Sequence, residues 1–285
     1  MTGDALLGSL FLVKIGFYAS ALTASGLALH SALRIVEGER LKATLDLTAV
    51  VATIAFAFCA TRLLLINAQL GVGIADAFNE ANFVWTWRMQ GPAALAMTGG
   101  AAALALSFFF APRLLMGIGA LAIAASFALT GHSQALEPVG FAPWAVAAHA
   151  LIAAFWFAAP ITLWPRSDLT DEDLLERNRR FGVFAVAAIP ILIALGVWLI
   201  WRLAGSVEAA VRSFYGQLLI AKLIVASVAL GLGAFNKFAV TAALQDSPVR
   251  GRVLLARTLT LDALLFMTAL GLVGWATTMT GPPEM

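Results

Sequence analysis

Eight apolar runs of about 20 residues follow one another along this chain, and that succession constrains the fold more than any other feature. A run of that length crosses a bilayer as a helix, because the hydrocarbon offers no water to satisfy a bare peptide group. The runs lie near 5–33, 45–70, 91–110, 113–131, 141–164, 182–204, 214–241 and 254–279. They predict an all-α fold: a polytopic membrane helical bundle of eight transmembrane helices, in a single membrane domain over 1–285. Composition agrees, with 61% hydrophobic and 12% charged residues, against about 25% charged in a soluble domain. The turn Ala111-Pro112-Arg113 separates the third and fourth runs. Pro160, Pro190 and Gly196 fall inside runs, where neighbouring helices re-satisfy the backbone. Segment 71–90 carries Asp76, Glu80, Trp85, Trp87 and Arg88 and reads as an extramembrane loop with a short interfacial helix. No basic segment precedes the first run, which is therefore expected to be a retained helix and not a cleaved signal.

Charge placement gives the orientation. Connections after runs one, three, five and seven, with their flanks, hold Arg34, Arg40, Lys42, Arg113, Arg166, Arg177, Arg179, Arg180, Lys237, Arg250, Arg252 and Arg257. The opposite side holds Arg88, Arg202 and Arg212. Basic residues mark the cytoplasmic side, so both termini are expected in the periplasm of a bacterial inner membrane. The net charge of +2 therefore reports topology, and no nucleic-acid partner is expected. The single cysteine, Cys59, excludes an internal disulfide and a CxxC motif. No phosphate-binding loop appears, so nothing suggests an ATP-driven pump.

The remaining cations, Lys14, Arg62 and Lys222, lie inside runs one, two and seven. Each is about eight or nine residues from the outer end, roughly 12–14 Å deep at 1.5 Å per residue. His149 lies at a similar depth in the stretch FAPWAVAAHALIAAFWFAAPITLWP, Phe141–Pro165. Charged groups so placed are costly unless paired or wet. They are read as lining a polar cavity open to the outside; the simpler alternative is that the long side chains snorkel outward. Asp262 is expected at another level. Imidazole and thioether are copper ligands, so His149, His132 and Met279 form the candidate metal set at the periplasmic side. His30, at the far end of run one, reads as an interfacial residue and, as a lesser reading, an exit ligand. Met97, Met116 and Met267 read as lipid-facing or packing residues, and Cys59 as packing or, as a lesser reading, a thiol that receives Cu(I). Tyr215 is a candidate interfacial anchor, Asn236 a cap or interhelical hydrogen bond, and the small residues around Gly231 and Gly233 a close-packing face.

Five segments carry a family resemblance. They are GHS at 131–133, AHALIAAFWFAAP at 148–160, RRFGVFAVAAIPILIALGV at 179–197, FYGQLLIAKLIVASVALGLGAFNK at 214–237, and RTLTLDALLFMTALGLVGWATTMTGPP at 257–283. Over about 129–283 the chain resembles the copper resistance protein D (CopD) family. Carried over on that resemblance, His132, His149, Trp156, Tyr215, Gly216, Lys222 and Asn236 fall on motif positions. The chain has Ala158-Ala159-Pro160 where the family often has a glycine pair, and Asp262 where glutamate is usual.

The resemblance implies a non-enzymatic transporter that moves copper, Cu(I) or Cu(II), from periplasm to cytoplasm. Copper would meet His132 and Met279, pass to His149 and leave inward. The partners implied are the copper ion, the lipid bilayer and a separate periplasmic copper-binding protein of the CopC type. Two other classes stay open. One is a haem b-binding membrane oxidoreductase, with His149 as axial ligand and Lys14, Arg62 and Lys222 holding propionates. The other is an anion transporter that uses those cations.

Overall fold

Local chemistry fixes where the helices begin and end. Asn79 caps its helix by accepting from the Ala81 and Asn82 amides at 3.0 and 3.3 Å. Ser213 caps another, accepting from Gly216 N–H at 3.1 Å. Pro143 and Pro248 sit in first turns, where the missing N–H costs nothing. The computed structural model describes residues 3–71, 73–110, 112–131, 134, 138–204 and 207–280.

The helices are α1 (Gly3–Ala32), α2 (Glu39–Leu70), α3 (Glu80–Leu106), α4 (Pro112–Ala128), α5 (Ala142–Phe157), α6 (Ala159–Thr162), α7 (Asp171–Ala204), α8 (Val207–Arg212), α9 (Phe214–Phe235), α10 (Thr241–Asp246) and α11 (Pro248–Thr278). A 3₁₀ turn, Ile74–Phe78, precedes α3, and a π-helical turn, Asn236–Val240, joins α9 to α10. No strand occurs among the described residues. Six stretches are long and apolar enough to cross a bilayer: Asp4–Ala32, Arg40–Leu70, Ala142–Thr162, Asp171–Leu199, Phe214–Asp246 and Pro248–Thr278. That fits a multi-pass membrane protein. The shorter α4 covers the expected fourth run, and α3 the third.

Several boundaries differ from the sequence reading. Segment 71–90 is not mainly a loop: α3 starts at Glu80, so Trp85 and Trp87 ride exposed on the first turns of a continuous helix. Buried Asn67 organises the remainder. Its amide donates to the carbonyls of Asp76, Ala77 and Asn79 at 3.0–3.2 Å, and its oxygen accepts from the Thr86 hydroxyl at 3.0 Å. The helix expected from 182 starts at Asp171, its first turn carrying Asp171, Glu172 and Asp173, where the helix dipole favours acids. The run 141–164 is broken at Ala158.

That break has a covalent cause. Pro160 has no N–H to give the Trp156 carbonyl, and its ring crowds that position. The Phe155 carbonyl is filled from outside the helix, by His30 Nε2 at 2.9 Å.

α1 is the hub, packing on α2, α4, α5 and α11. Where it crosses α5, Gly26 lies against Ala154 and Ala158; a Cβ there would overlap the Ala154 carbonyl. Gly100 and Gly119 allow the same closeness between α3 and α4. Gly231 and Gly233 face open space instead, so the close-packing face expected on α9 is not used. Met97 and Met116 are fully buried in the cluster that includes Phe17, Ala24 and Ile123, while Met267 is exposed. Of the apolar window of α5, 39% is buried, against 11% for α7 and for α9. Thus α5 is enclosed, and α7 and α9 form the outer wall.

Candidate functional site

The imidazole of His149 projects from the middle of α5, the most enclosed spanning helix. Opposite it on α7 is Gly196; a Cβ there would sit 3.8 Å from His149 Cε1, so the glycine leaves free volume beside the ring. From α9, Lys222 acts electrostatically on His149. His149 Nδ1 is buried and has no hydrogen-bond partner among the described residues. An orphaned ring nitrogen in an apolar setting forgoes about 1–3 kcal/mol, which a ligand can restore. α5, α7 and α9 thus enclose a small polar point with one lone pair or N–H available.

A second group gathers near the end of α11. Lys14 donates to the Thr277 carbonyl at 3.1 Å and lies 5.9 Å from the Tyr18 ring centroid. The carbonyls of a helix's last turn carry partial negative charge, so this cation caps α11 from α1. Arg62 on α2 acts on Lys14, Tyr18 and Cys59. It lines a narrow pocket with Phe17, Cys59 and Gln90. Tyr18 also acts on buried Tyr215, in the first turn of α9. One turn separates Lys14 from Tyr18, a spacing visible in the sequence; the Thr277 carbonyl and Gly196 had no sequence signal.

His30 is a correction. It is not interfacial: it is fully buried, with both ring nitrogens engaged. Nε2 meets the Phe155 carbonyl at 2.9 Å and Nδ1 the Thr162 hydroxyl at 2.7 Å. A carbonyl only accepts, so Nε2 carries the proton and, in the neutral ring, Nδ1 accepts from Thr162. The Phe155 and Phe181 rings stand edge-on at 4.8 and 5.7 Å. No nitrogen is left for a metal, which removes His30 as an exit ligand.

The other candidates are dispersed. His132 lies outside the described residues. Met279 is the half-buried C-cap of α11, two residues beyond Thr277. Trp156 is partly buried at the α5 break and packs on the cluster of Phe155, Leu163 and Leu255. Cys59 is half-buried against the cluster around Phe17 and Ala55. Asn236 opens the π-helical turn, a feature that often marks functional positions, and its Oδ1 is buried without a partner among the described residues. Asp262 Oδ1 is likewise buried and unpartnered. Gly251 lies against Leu244 of α10, and Ala276 beside Tyr215 and Leu219 of α9, so α11 runs back along both helices. Among the described residues no three His, Cys, Asp or Glu side chains converge as a ready metal cluster.

Residues 175–276 match the family described as copper resistance protein D. That match supports a copper resistance protein D family assignment. It covers most of α7, all of α8, α9 and α10, and nearly all of α11. Tyr215, Lys222, Asn236 and Asp262 fall inside the copper resistance protein D match; His132, His149, Trp156 and Met279 fall outside it. No curated protein and no solved structure matches the chain.

Proposed function

We propose that this chain carries copper across a bacterial inner membrane, from periplasm to cytoplasm, with both termini outside. The observation that carries the reading is the copper resistance protein D match on the helices that wall His149. Copper is the cargo here. A periplasmic copper-binding carrier of the CopC type delivers it to the entry ligands His132 and Met279. His149 receives it next, through the nitrogen that has no partner among the described residues; imidazole is a competent ligand for copper.

Lys222 gives that site a second property. A fixed cation beside a bound metal ion weakens its hold, and a conducting site must release as readily as it binds. The pair therefore reads as a transit point and not a store. Lys14 and Arg62 support the outer end of the route, where Lys14 also ties α1 to α11. The haem reading would need a second axial ligand facing His149, and His30 is committed through both nitrogens. Proteoliposomes containing the purified protein should accumulate external copper faster than empty vesicles. Equal rates, with folded protein present, would refute copper transport.

A further inference from the structure

At the basic end of the bundle, three guanidinium groups surround one pocket. Arg40 comes from the first turn of α2, Arg166 from the connection between α6 and α7, and Arg177 from the second turn of α7. The cavity is about 50 Å³, several times the ~10–15 Å³ that one water needs. Leu27, Leu47, Ile161 and Trp164 supply the apolar part of its lining. Arg177 is within electrostatic reach of both Arg40 and Arg166.

Three like charges around an open volume repel one another, and the neighbouring acids neutralise them only in part. Elsewhere at this end Glu37 meets Arg34, Arg113 and Arg180, Glu176 meets Arg180, and Asp171 meets Arg252. In the pocket Arg40 pairs with Asp168, and Asp173 acts on Arg177 from one turn away. Among the described residues the side chains of Arg166 and Arg177 enter no ion pair. The Thr44 and Thr162 hydroxyls are spent on backbone and His30. The donors left free are guanidinium N–H groups, whose planar fork matches phosphate oxygens.

We propose that this pocket binds a phosphate group, with the aliphatic side chains and Trp164 receiving the apolar part of an anionic phospholipid. The mixed lining favours an amphiphile over a free ion, and basic pockets between membrane helices suit anionic headgroups. The site shares no residue with the proposed copper route and does not depend on it.

Native mass spectrometry of the full chain in neutral detergent tests this, using phosphatidylglycerol, phosphatidylcholine and inorganic phosphate as probes. One phosphatidylglycerol should be retained in preference to phosphatidylcholine. Arg166→Gln and Arg177→Gln should each weaken it about fivefold, while Arg179→Gln, an exposed neighbour outside the pocket, should not. If inorganic phosphate binds with the same arginine dependence and displaces the lipid, the phosphate site stands and its source is soluble. Retention unchanged in both pocket variants, or lowered equally by Arg179→Gln, would overturn it. Should Arg177→Gln fail to fold, Arg166→Gln decides alone, because among the described residues only the Arg166 main chain is bonded, by Arg252.

Discussion

At the scale of single residues, the three histidines divide by what their nitrogens touch. His30 is structural: two hydrogen bonds and two aromatic neighbours hold it. Its replacement by alanine strands the Phe155 carbonyl at about 1–3 kcal/mol and opens a cavity that adds to that loss. His30→Ala should therefore lower the thermal unfolding midpoint clearly, while the copper transport of the protein that remains folded persists; an unchanged midpoint would contradict the assignment. The sequence set His30 at the end of its run and His149 deeper, but carried no sign of which imidazole has both nitrogens engaged. What separates them is the helix break at Ala158, where the Phe155 carbonyl is left to His30. Lys14 was legible as an intramembrane cation. Its partner was not, since a main-chain carbonyl at the end of α11 leaves no mark in side-chain pattern.

At the scale of elements, glycines show how little composition says about packing. Gly26 and Gly231 both sit in apolar helices, yet one lies under a carbonyl of α5 and the other faces open space. Gly26→Leu should force α1 from α5 and cost ~1–3 kcal/mol or more. Gly231→Ala should be neutral or stabilising by up to about 1 kcal/mol. Paired melting curves check this, and equal shifts for the two would contradict the crossing described. The existence of most helices was legible because periodicity and length carry it. The early starts of α3 and α7 were not, because polar turns there continue the helix beyond its apolar part.

At the scale of the whole molecule, the basic connections meet at one end. Glu37, on the connection between α1 and α2, binds Arg113 at the start of α4 and Arg180 on α7, at 3.1 and 2.6 Å. The placement of basic residues in alternate connections was readable from the sequence; their convergence on one carboxylate was not. The Arg180 hydrogen bond holds the Glu37 carboxyl below its ordinary value of 4.5. A carboxyl lowered by folding stabilises fully above its unfolded value and loses that contribution as pH falls through the folded one. The protein should therefore lose stability as pH drops below about 4.5, and Glu37→Gln should flatten that part of the profile. Identical acid profiles for the two proteins would show that the cluster adds nothing.

The central claim is that copper crosses this bundle by way of His149. Copper uptake into proteoliposomes, compared between the wild type and His149→Ala at equal amounts of folded protein, tests it most directly. The account predicts that the variant falls to the rate of empty vesicles while its melting temperature stays close to wild type. Wild-type uptake in the His149→Ala protein would contradict the account, and would leave the orphaned imidazole without a role in transport.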